Sequence, residues 1–259
     1  MNIILNEKVY IEDIIKQKDL GSSPVQTLNM VARYYHSLSY KPKAIREELE
    51  HFLLRCDPNA NLVKWSDVID RAVSKAKKPL IEIDSISITK KELKTCYDAG
   101  GKKLRRIAFT MLCLAKYYNN VYDTDGGWVN TPMAEIFSLA NVCLSRKEQA
   151  IAINKMVSSE LLGLSKRIDS TNVCVKYVDQ DGEPELYVYD FRNLGFQYER
   201  YRYGIKNYPQ CELCGQVFKD VTVNTKHRKY CPKCAREMKA MQTFESDVRR
   251  KKSGIYATS

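Results

Sequence analysis

Four cysteines in the last quarter of the chain restrict its fold more than any other feature. They form two Cys-x-x-Cys pairs, Cys211–Cys214 and Cys231–Cys234, with sixteen residues between the pairs. Two such pairs at this separation are typical of a zinc ribbon, in which four thiolates bind one ion in a tetrahedron. Gly215 follows the first pair, where the tight turn often requires a positive φ. A site with four protein ligands has no open position, so we expect a structural Zn²⁺ that stabilises the fold and catalyses nothing.

The same cysteines allow two other interpretations, as redox dithiols or as disulfides, and His227 could replace one of the ligands. A thioredoxin-like dithiol lies beside a βαβ pattern, which the surrounding sequence lacks. Five further cysteines show no paired spacing: Cys56, Cys96, Cys113, Cys143 and Cys174. Scattered thiols are typical of a reducing compartment, and the sequence shows neither a signal-peptide pattern nor a long apolar stretch. We therefore expect a cytoplasmic protein without a membrane partner.

The positive charge of the chain is concentrated near its end. The 259 residues carry a net charge of +11. Residues 1–195 contain 28 Lys and Arg against 25 Asp and Glu, whereas residues 196–259 contain 14 against 6. A basic segment with interleaved tyrosines is typical of a protein that contacts a phosphate backbone. The alternative is a basic surface that only keeps the protein in solution.

Residues 1–99 are predicted to form an N-terminal helical region. Ser23 and Pro24 provide a helix start, with the serine as the cap and the proline at the first helical position. Apolar spacing predicts helices over residues 10–18, 24–38, 42–56 and 65–78, then a strand or extended linker over residues 80–88 and a helix after the capping box Thr89–Glu92. The sequence Ala99-Gly100-Gly101 is predicted to be a domain boundary. These helices could bind a partner or pair two copies of the chain as a homodimer.

Residues 100–195 follow the order helix, helix, helix, hairpin. The helices are predicted over residues 102–118, after Thr131-Pro132, and from the capping box Ser145–Glu148 to Gly163; strands are predicted over residues 164–168, 172–178 and 185–191. This order is typical of the winged variant of the helix-turn-helix, whose third helix enters the major groove of DNA. We therefore predict an α+β protein, mainly α with small β: helical region, winged-helix domain and, over residues 196–259, a basic zinc-ribbon module with a C-terminal helix.

The segment Leu161–Ile168, after the capped third helix, resembles the helix-to-wing junction of winged-helix DNA-binding proteins. Followed by a cysteine ribbon, residues 102–191 resemble proteins of phages and mobile elements in low-GC Gram-positive bacteria, some of which act in replication initiation or transcription. The winged-helix likeness covers about a third of the chain. It implies that bases are faced by Arg146, Lys147, Gln149 and Asn154, and that the DNA backbone is contacted by Lys166 and Arg167.

The loop 179–185 departs from that pattern. It contains four carboxylates, and a wing tip of that charge would repel phosphate. Either this loop is not the wing that faces DNA, or the domain docks on a protein instead.

Tyrosines and arginines alternate before the cysteine module. Tyr198–Tyr203, together with Arg200 and Arg202, could stack on single-stranded bases, or the tyrosines could cover the core from an edge strand. For Tyr187 and Tyr189 the core role is favoured. Beyond Cys234 a helix is predicted over residues 235–248 and ends in a basic run, where DNA phosphates would be contacted by Arg249 and Arg250.

No spacing of residues indicates catalysis. The sequence lacks a phosphate-binding glycine loop and a paired-histidine metal motif. Asp123 and Asp125 resemble the start of a calcium loop, but the later ligand positions hold Trp128, Asn130 and Met133. We therefore expect no enzyme, but a DNA-binding factor in replication or transcription of a phage or mobile element. The alternatives are a factor that docks on a host nucleic-acid enzyme and inhibits or recruits it, and a nuclease or recombinase subunit.

Overall fold

The computed structural model describes residues 3–21, 23–166, 172–221 and 228–255, with side chains described up to residue 250. The chain divides into two compact units, Asn2–Ile86 and Ser87–Ser259. Across the described residues there are ten helices and five short strands, so the predicted α+β class is confirmed.

The smaller unit is built from four helices. They are α1 (Glu7–Gln17), α2 (Pro24–Ser37), α3 (Pro42–Cys56) and α4 (Leu62–Ser74). Their apolar faces share one buried core that includes Ile11, Leu28, Val31, Leu49, Phe52 and Ile69. The four predicted helices are thus confirmed. The start of α4 was predicted too late, because Asn61 caps it by accepting the N–H groups of Val63 and Lys64.

The larger unit opens with β1 (Ile86–Thr89) and α5 (Lys90–Asp98). Of the strand or extended linker predicted over residues 80–88, the last residues form β1 and most of the rest is irregular chain. The predicted capping box is present, since the backbone N–H of Thr89 donates to Glu92 Oε2 at 2.7 Å and the N–H of Glu92 donates to Thr89 Oγ1 at 3.2 Å. The boundary proposed at Ala99-Gly100-Gly101 is the turn between α5 and the next helix, inside this unit.

The centre of the larger unit is α6 (Lys102–Tyr122), which is buried continuously from Arg106 to Tyr117. After it come β2 (Trp128–Val129), α7 (Met133–Leu139), α8 (Arg146–Ser158), β3 (Leu162–Leu164) and β4 (Val173–Val175). The three strands form an antiparallel sheet in the order β2-β4-β3. The predicted order of three helices and a hairpin is confirmed, whereas the short strand β2 was not predicted.

The third predicted strand does not belong to this hairpin. It forms β5 (Pro184–Val188), which pairs with β1. The acidic segment 179–185 therefore leads from β4 into the first residues of β5 and lies outside the β3–β4 hairpin. Residues 165–172 connect β3 to β4 in the sequence, and 167–171 lie outside the described residues.

Two helices complete the unit, α9 (Leu194–Tyr203) and α10 (Pro232–Ile255). The edge strand considered for Tyr198–Tyr203 is wrong, because these residues are helical. Tyr198 is buried, with its ring centroid 5.2 Å from that of Phe109. Gly195 allows α9 to approach the end of α7, since a Cβ at this position would lie 1.8 Å from the carbonyl oxygen of Ala140.

Candidate metal centre and cationic surfaces

The four cysteines of the two Cys-x-x-Cys pairs come together in one cluster. Their sulfur atoms lie within 4.8 Å of one another, and Cys214 Sγ and Cys231 Sγ are 3.8 Å apart. A tetrahedral ion with metal–sulfur bonds of about 2.3 Å places its sulfur ligands about 3.8 Å apart. All four thiols are free of disulfides. The four cysteines could therefore hold a metal ion, as their spacing predicts.

Backbone groups around the cluster are arranged for negatively charged sulfur. The N–H of Cys231 donates to Cys211 Sγ at 3.3 Å, and the N–H of Cys234 donates to Cys231 Sγ at 3.5 Å. Burial raises the pKa of the Cys211 thiol, but hydrogen bonds from the backbone of Cys214 and Cys231 outweigh burial and lower that pKa to about 6. Gly215 has a φ of 72°, the left-handed conformation that its place in the turn predicts.

Two residues that sequence reasoning missed hold the first cysteine turn in place. Arg192 Nη2 donates to the carbonyl oxygen of Cys214 at 2.8 Å, and Asn193 Nδ2 donates to the carbonyl oxygen of Val217 at 2.9 Å. Arg192 Nε also donates to Asp190 Oδ2 at 2.7 Å, which orients the guanidinium. The cysteine turn is thereby tied to the segment that leads into α9. A hydrogen bond to a backbone carbonyl leaves no pattern in the sequence.

A buried charged group lies between α6 and the approach to the cysteines. Arg106 Nε donates to Glu199 Oε1 at 2.9 Å, and Lys102 Nζ lies 3.0 Å from Glu199 Oε2. The hydroxyl of Tyr208 accepts from Arg106 Nη2 at 3.3 Å and from Lys102 Nζ at 3.2 Å. These contacts fix α9 and the start of the cysteine module against α6.

The side chains predicted to face bases lie along α8. Arg146, Lys147 and Asn154 are exposed, whereas Gln149 is partly buried and its amide donates to the carbonyl oxygen of Leu144 at 3.0 Å. Gln149 is thus engaged at the start of its own helix. Its helix begins at the predicted capping box, where the N–H of Ser145 donates to the Glu148 carboxylate at 2.8 Å.

The remaining predicted DNA contacts lie on different elements. Lys166 is exposed in the turn of the hairpin, and Arg167 lies outside the described residues. Arg249 and Arg250 are exposed near the end of α10. Of the arginines and lysines predicted to contact DNA, three lie on α8 or in the described part of the hairpin: Arg146, Lys147 and Lys166. The other described ones lie on α9 and α10.

Arg200 and Arg202 lie on α9 in different surroundings. Arg202 stacks on the ring of Tyr97, with its guanidinium carbon 4.2 Å from the ring centroid, and Arg105 lies 3.8 Å from the same centroid. Arg200 is partly buried. The core role predicted for Tyr187 and Tyr189 is wrong, because the two side chains are 50% and 70% exposed.

Comparison with protein-family models, with curated proteins and with solved structures finds no match to this chain. Within the described ranges, no second group of three or more Cys, His, Asp or Glu side chains lies close enough together to hold a metal ion. None of the helices in the described part of the chain combines the length and apolar character that crossing a membrane requires.

Proposed function

We propose that the chain is a DNA-binding factor in which α8 enters the major groove and the cysteine module contacts the backbone. The observation that carries this proposal is the order α6, β2, α7, α8, β3, β4 with the strand order β2-β4-β3. Three helices followed by such a hairpin support a winged helix-turn-helix, whose third helix reads DNA. The resemblance to proteins of phages and mobile elements extends the proposal to a role in replication or transcription.

The chemistry of α8 supports base reading. Its inner face buries Ala152, Ile153 and Met156, so the helix is fixed on the core by apolar side chains. Its outer face presents Arg146 and Asn154, and arginine and asparagine are the side chains that pair with guanine and adenine edges in the major groove.

The charge of the proposed wing also supports contact with DNA. The hairpin turn, residues 165–172, contains two cations and one carboxylate, while the acidic loop lies elsewhere.

We propose Zn²⁺ as the ion of the cysteine cluster. Four thiolates arranged for a tetrahedron favour zinc or iron, and zinc is the ion that commonly closes two Cys-x-x-Cys turns into a ribbon. With all positions occupied by Cys211, Cys214, Cys231 and Cys234, the ion supplies folding free energy and no chemistry. It would hold the two cysteine turns in place within a segment, residues 196–259, that carries 14 Lys and Arg against 6 Asp and Glu for contact with phosphates.

The double substitution Arg146→Ala with Lys147→Ala tests base reading. Duplexes selected from a random pool by the wild type are compared with unselected duplexes. We expect about a tenfold or greater loss of affinity for selected DNA and a smaller loss for unselected DNA. A matched control, Lys43→Ala with Lys64→Ala, removes the same charge from exposed positions in the smaller unit. Equal losses on both DNAs would contradict base reading, and no loss on either would show that α8 does not touch DNA.

One observation favours the second candidate, a factor that docks on a protein. Ile151 is 46% exposed on α8 and lines a shallow groove with Leu104 and Asn154. An exposed apolar side chain in the middle of a recognition helix suits a protein partner better than a sugar–phosphate backbone. A measurement of binding to duplex DNA at low salt distinguishes the two candidates, because a factor that docks on a protein is expected to have no affinity for DNA.

A further inference from the structure

A pocket of about 350 Å³ lies where β5, α9 and the cysteine turn meet. Its walls include Tyr187 and Tyr189 from the end of β5, Arg200 from α9, and Gly215 and Val217 from the cysteine turn. This volume falls within the range of pockets that hold small ligands. Because one wall belongs to the cysteine turn, the pocket depends on the fold that the metal would stabilise.

Arg200 is the cation among the lining residues of the pocket. Its Nη1 atom is buried and has no hydrogen-bond partner in the described part of the chain. A charged donor is costly to leave buried and unpaired, so an anionic acceptor that reached it from the pocket would relieve that cost. The acidic residue among the lining residues is Asp190, and its carboxylate already pairs with Arg192 at 2.6 Å.

The two tyrosines give the same pocket an aromatic rim. The side chains of Tyr187 and Tyr189 are 50% and 70% exposed, and their ring centroids lie 6.4 Å apart at an angle of 32°. Rings beside an arginine form the platform on which unpaired bases stack, and these two rings are exposed enough for a base to reach them. The two tyrosines are among the exposed lining residues of the pocket, so a continuing strand could pass over them.

We propose that this pocket binds one unpaired nucleotide of single-stranded nucleic acid, with Arg200 at the phosphate and Tyr187 or Tyr189 stacked on the base. The proposal goes beyond duplex reading by α8, because it uses different residues and a different form of nucleic acid. A protein with both sites would hold a duplex beside an opened strand.

Fluorescence anisotropy with a labelled single-stranded DNA of about ten nucleotides tests the proposal on the full chain. Arg200→Met is expected to weaken binding about tenfold, because a charge-assisted hydrogen bond is lost. Its control, Lys206→Met, removes one exposed charge just beyond α9 and is expected to change affinity less than about twofold. Equal losses of single-strand affinity in the two variants would contradict the proposed role of the pocket.

The aromatic rim is tested by a second pair, which stays informative if Arg200→Met does not fold. Tyr189→Ala is expected to weaken single-strand binding about tenfold through lost stacking. Tyr122→Ala removes a ring that is 59% exposed elsewhere in the larger unit and is expected to leave affinity unchanged. A loss in neither variant, or the same loss in both, would overturn the stacking role.

Two further measurements show whether the bound nucleotide is free or part of a strand, and whether the pocket acts independently of duplex reading by α8. Free thymidine monophosphate is expected to compete only weakly; competition at the affinity of the oligonucleotide would overturn the single-strand source. Arg200→Met is expected to lose no more affinity for blunt duplex DNA than its control Lys206→Met, because each variant removes one cation of the same basic module. If the wild type binds duplex DNA but not single strands, the proposed role of the pocket is contradicted and that of α8 is not. If it binds single strands but not duplex DNA, only the proposed role of α8 is contradicted.

Discussion

Arg106 and Glu199 form an ion pair of 2.9 Å inside the larger unit and thereby join α6 to α9. The pair is shielded from water, since the Glu199 side chain is 1% exposed and the Arg106 side chain 11%. Together with the packing of Tyr198 on Phe109 it holds α9 against α6, and α9 in turn carries Arg200 and leads into the cysteine module. Both sites proposed for nucleic acid beyond α8 therefore depend on this contact.

Glu199→Ala should lower the free energy of unfolding by about 3–5 kcal/mol, because it leaves Arg106 buried without its counter-charge. Thermal unfolding followed by circular dichroism measures the change. The control is Lys91→Ala, which removes a partner of Asp179 at 4.0 Å whose side chain is 82% exposed. An exposed pair contributes less than about 1 kcal/mol, so equal shifts in midpoint would contradict the importance of the buried pair.

Gly195→Ala should destabilise the larger unit by about 1–3 kcal/mol, because the added methyl group would overlap the Ala140 carbonyl oxygen. Backbone cannot move aside as a flexible side chain can, so α9 would have to shift. Gly101→Ala is the matched control, since a Cβ there meets no atom within 4 Å. Comparable unfolding midpoints for the two variants would show that α9 does not pack as closely on α7 as described.

The elements that could be predicted from the sequence are those with local signals. Apolar spacing and a leading proline indicated α2 and α3, and the capping boxes at Thr89 and Ser145 indicated α5 and α8. The helix α9 was missed because tyrosine and phenylalanine favour strands in isolation. Here the packing of Tyr198 on Phe109 outweighs that preference.

The candidate metal site likewise contains some residues that a local pattern predicts and others that it does not. The four cysteines could be identified from the sequence because all four ligands lie within 24 residues at a spacing typical of a metal site. The contact of Arg106 with Glu199 spans 93 residues, and the hydrogen bond of Arg192 to the Cys214 carbonyl spans 22. Contacts across such separations depend on the tertiary fold, which local patterns do not specify.

Cys231→Ser should abolish metal binding, because Cys231 is fully buried in the cluster and serine is a poor ligand for zinc. Metal analysis of the purified chains by mass spectrometry is expected to find one zinc per wild-type chain and none in the variant. Cys143→Ser, at an exposed thiol, should keep the metal. Iron in place of zinc would contradict the proposed ion, and metal retained by Cys231→Ser would contradict the proposed ligands.

Arg192→Ala should release the metal to a chelator about tenfold faster, because the turn that presents Cys214 loses its hydrogen bond to the guanidinium. The release is followed with a colorimetric zinc indicator after the chelator is added. Lys219→Ala, at an exposed position just after the first cysteine turn, should release zinc at the wild-type rate. Identical rates in all three proteins would mean that Arg192 does not support the metal centre.

If the zinc-loaded chain binds duplex DNA through its cationic surfaces, the affinity of the wild type for DNA must fall as the salt concentration rises. Random-sequence duplex is titrated with protein from about 50 mM to about 200 mM salt. We expect binding at the lowest salt and a linear fall of log affinity with log salt, with a slope of about −0.9 for each phosphate contacted. No measurable binding at the lowest salt, or an affinity that does not change with salt, would contradict the claim.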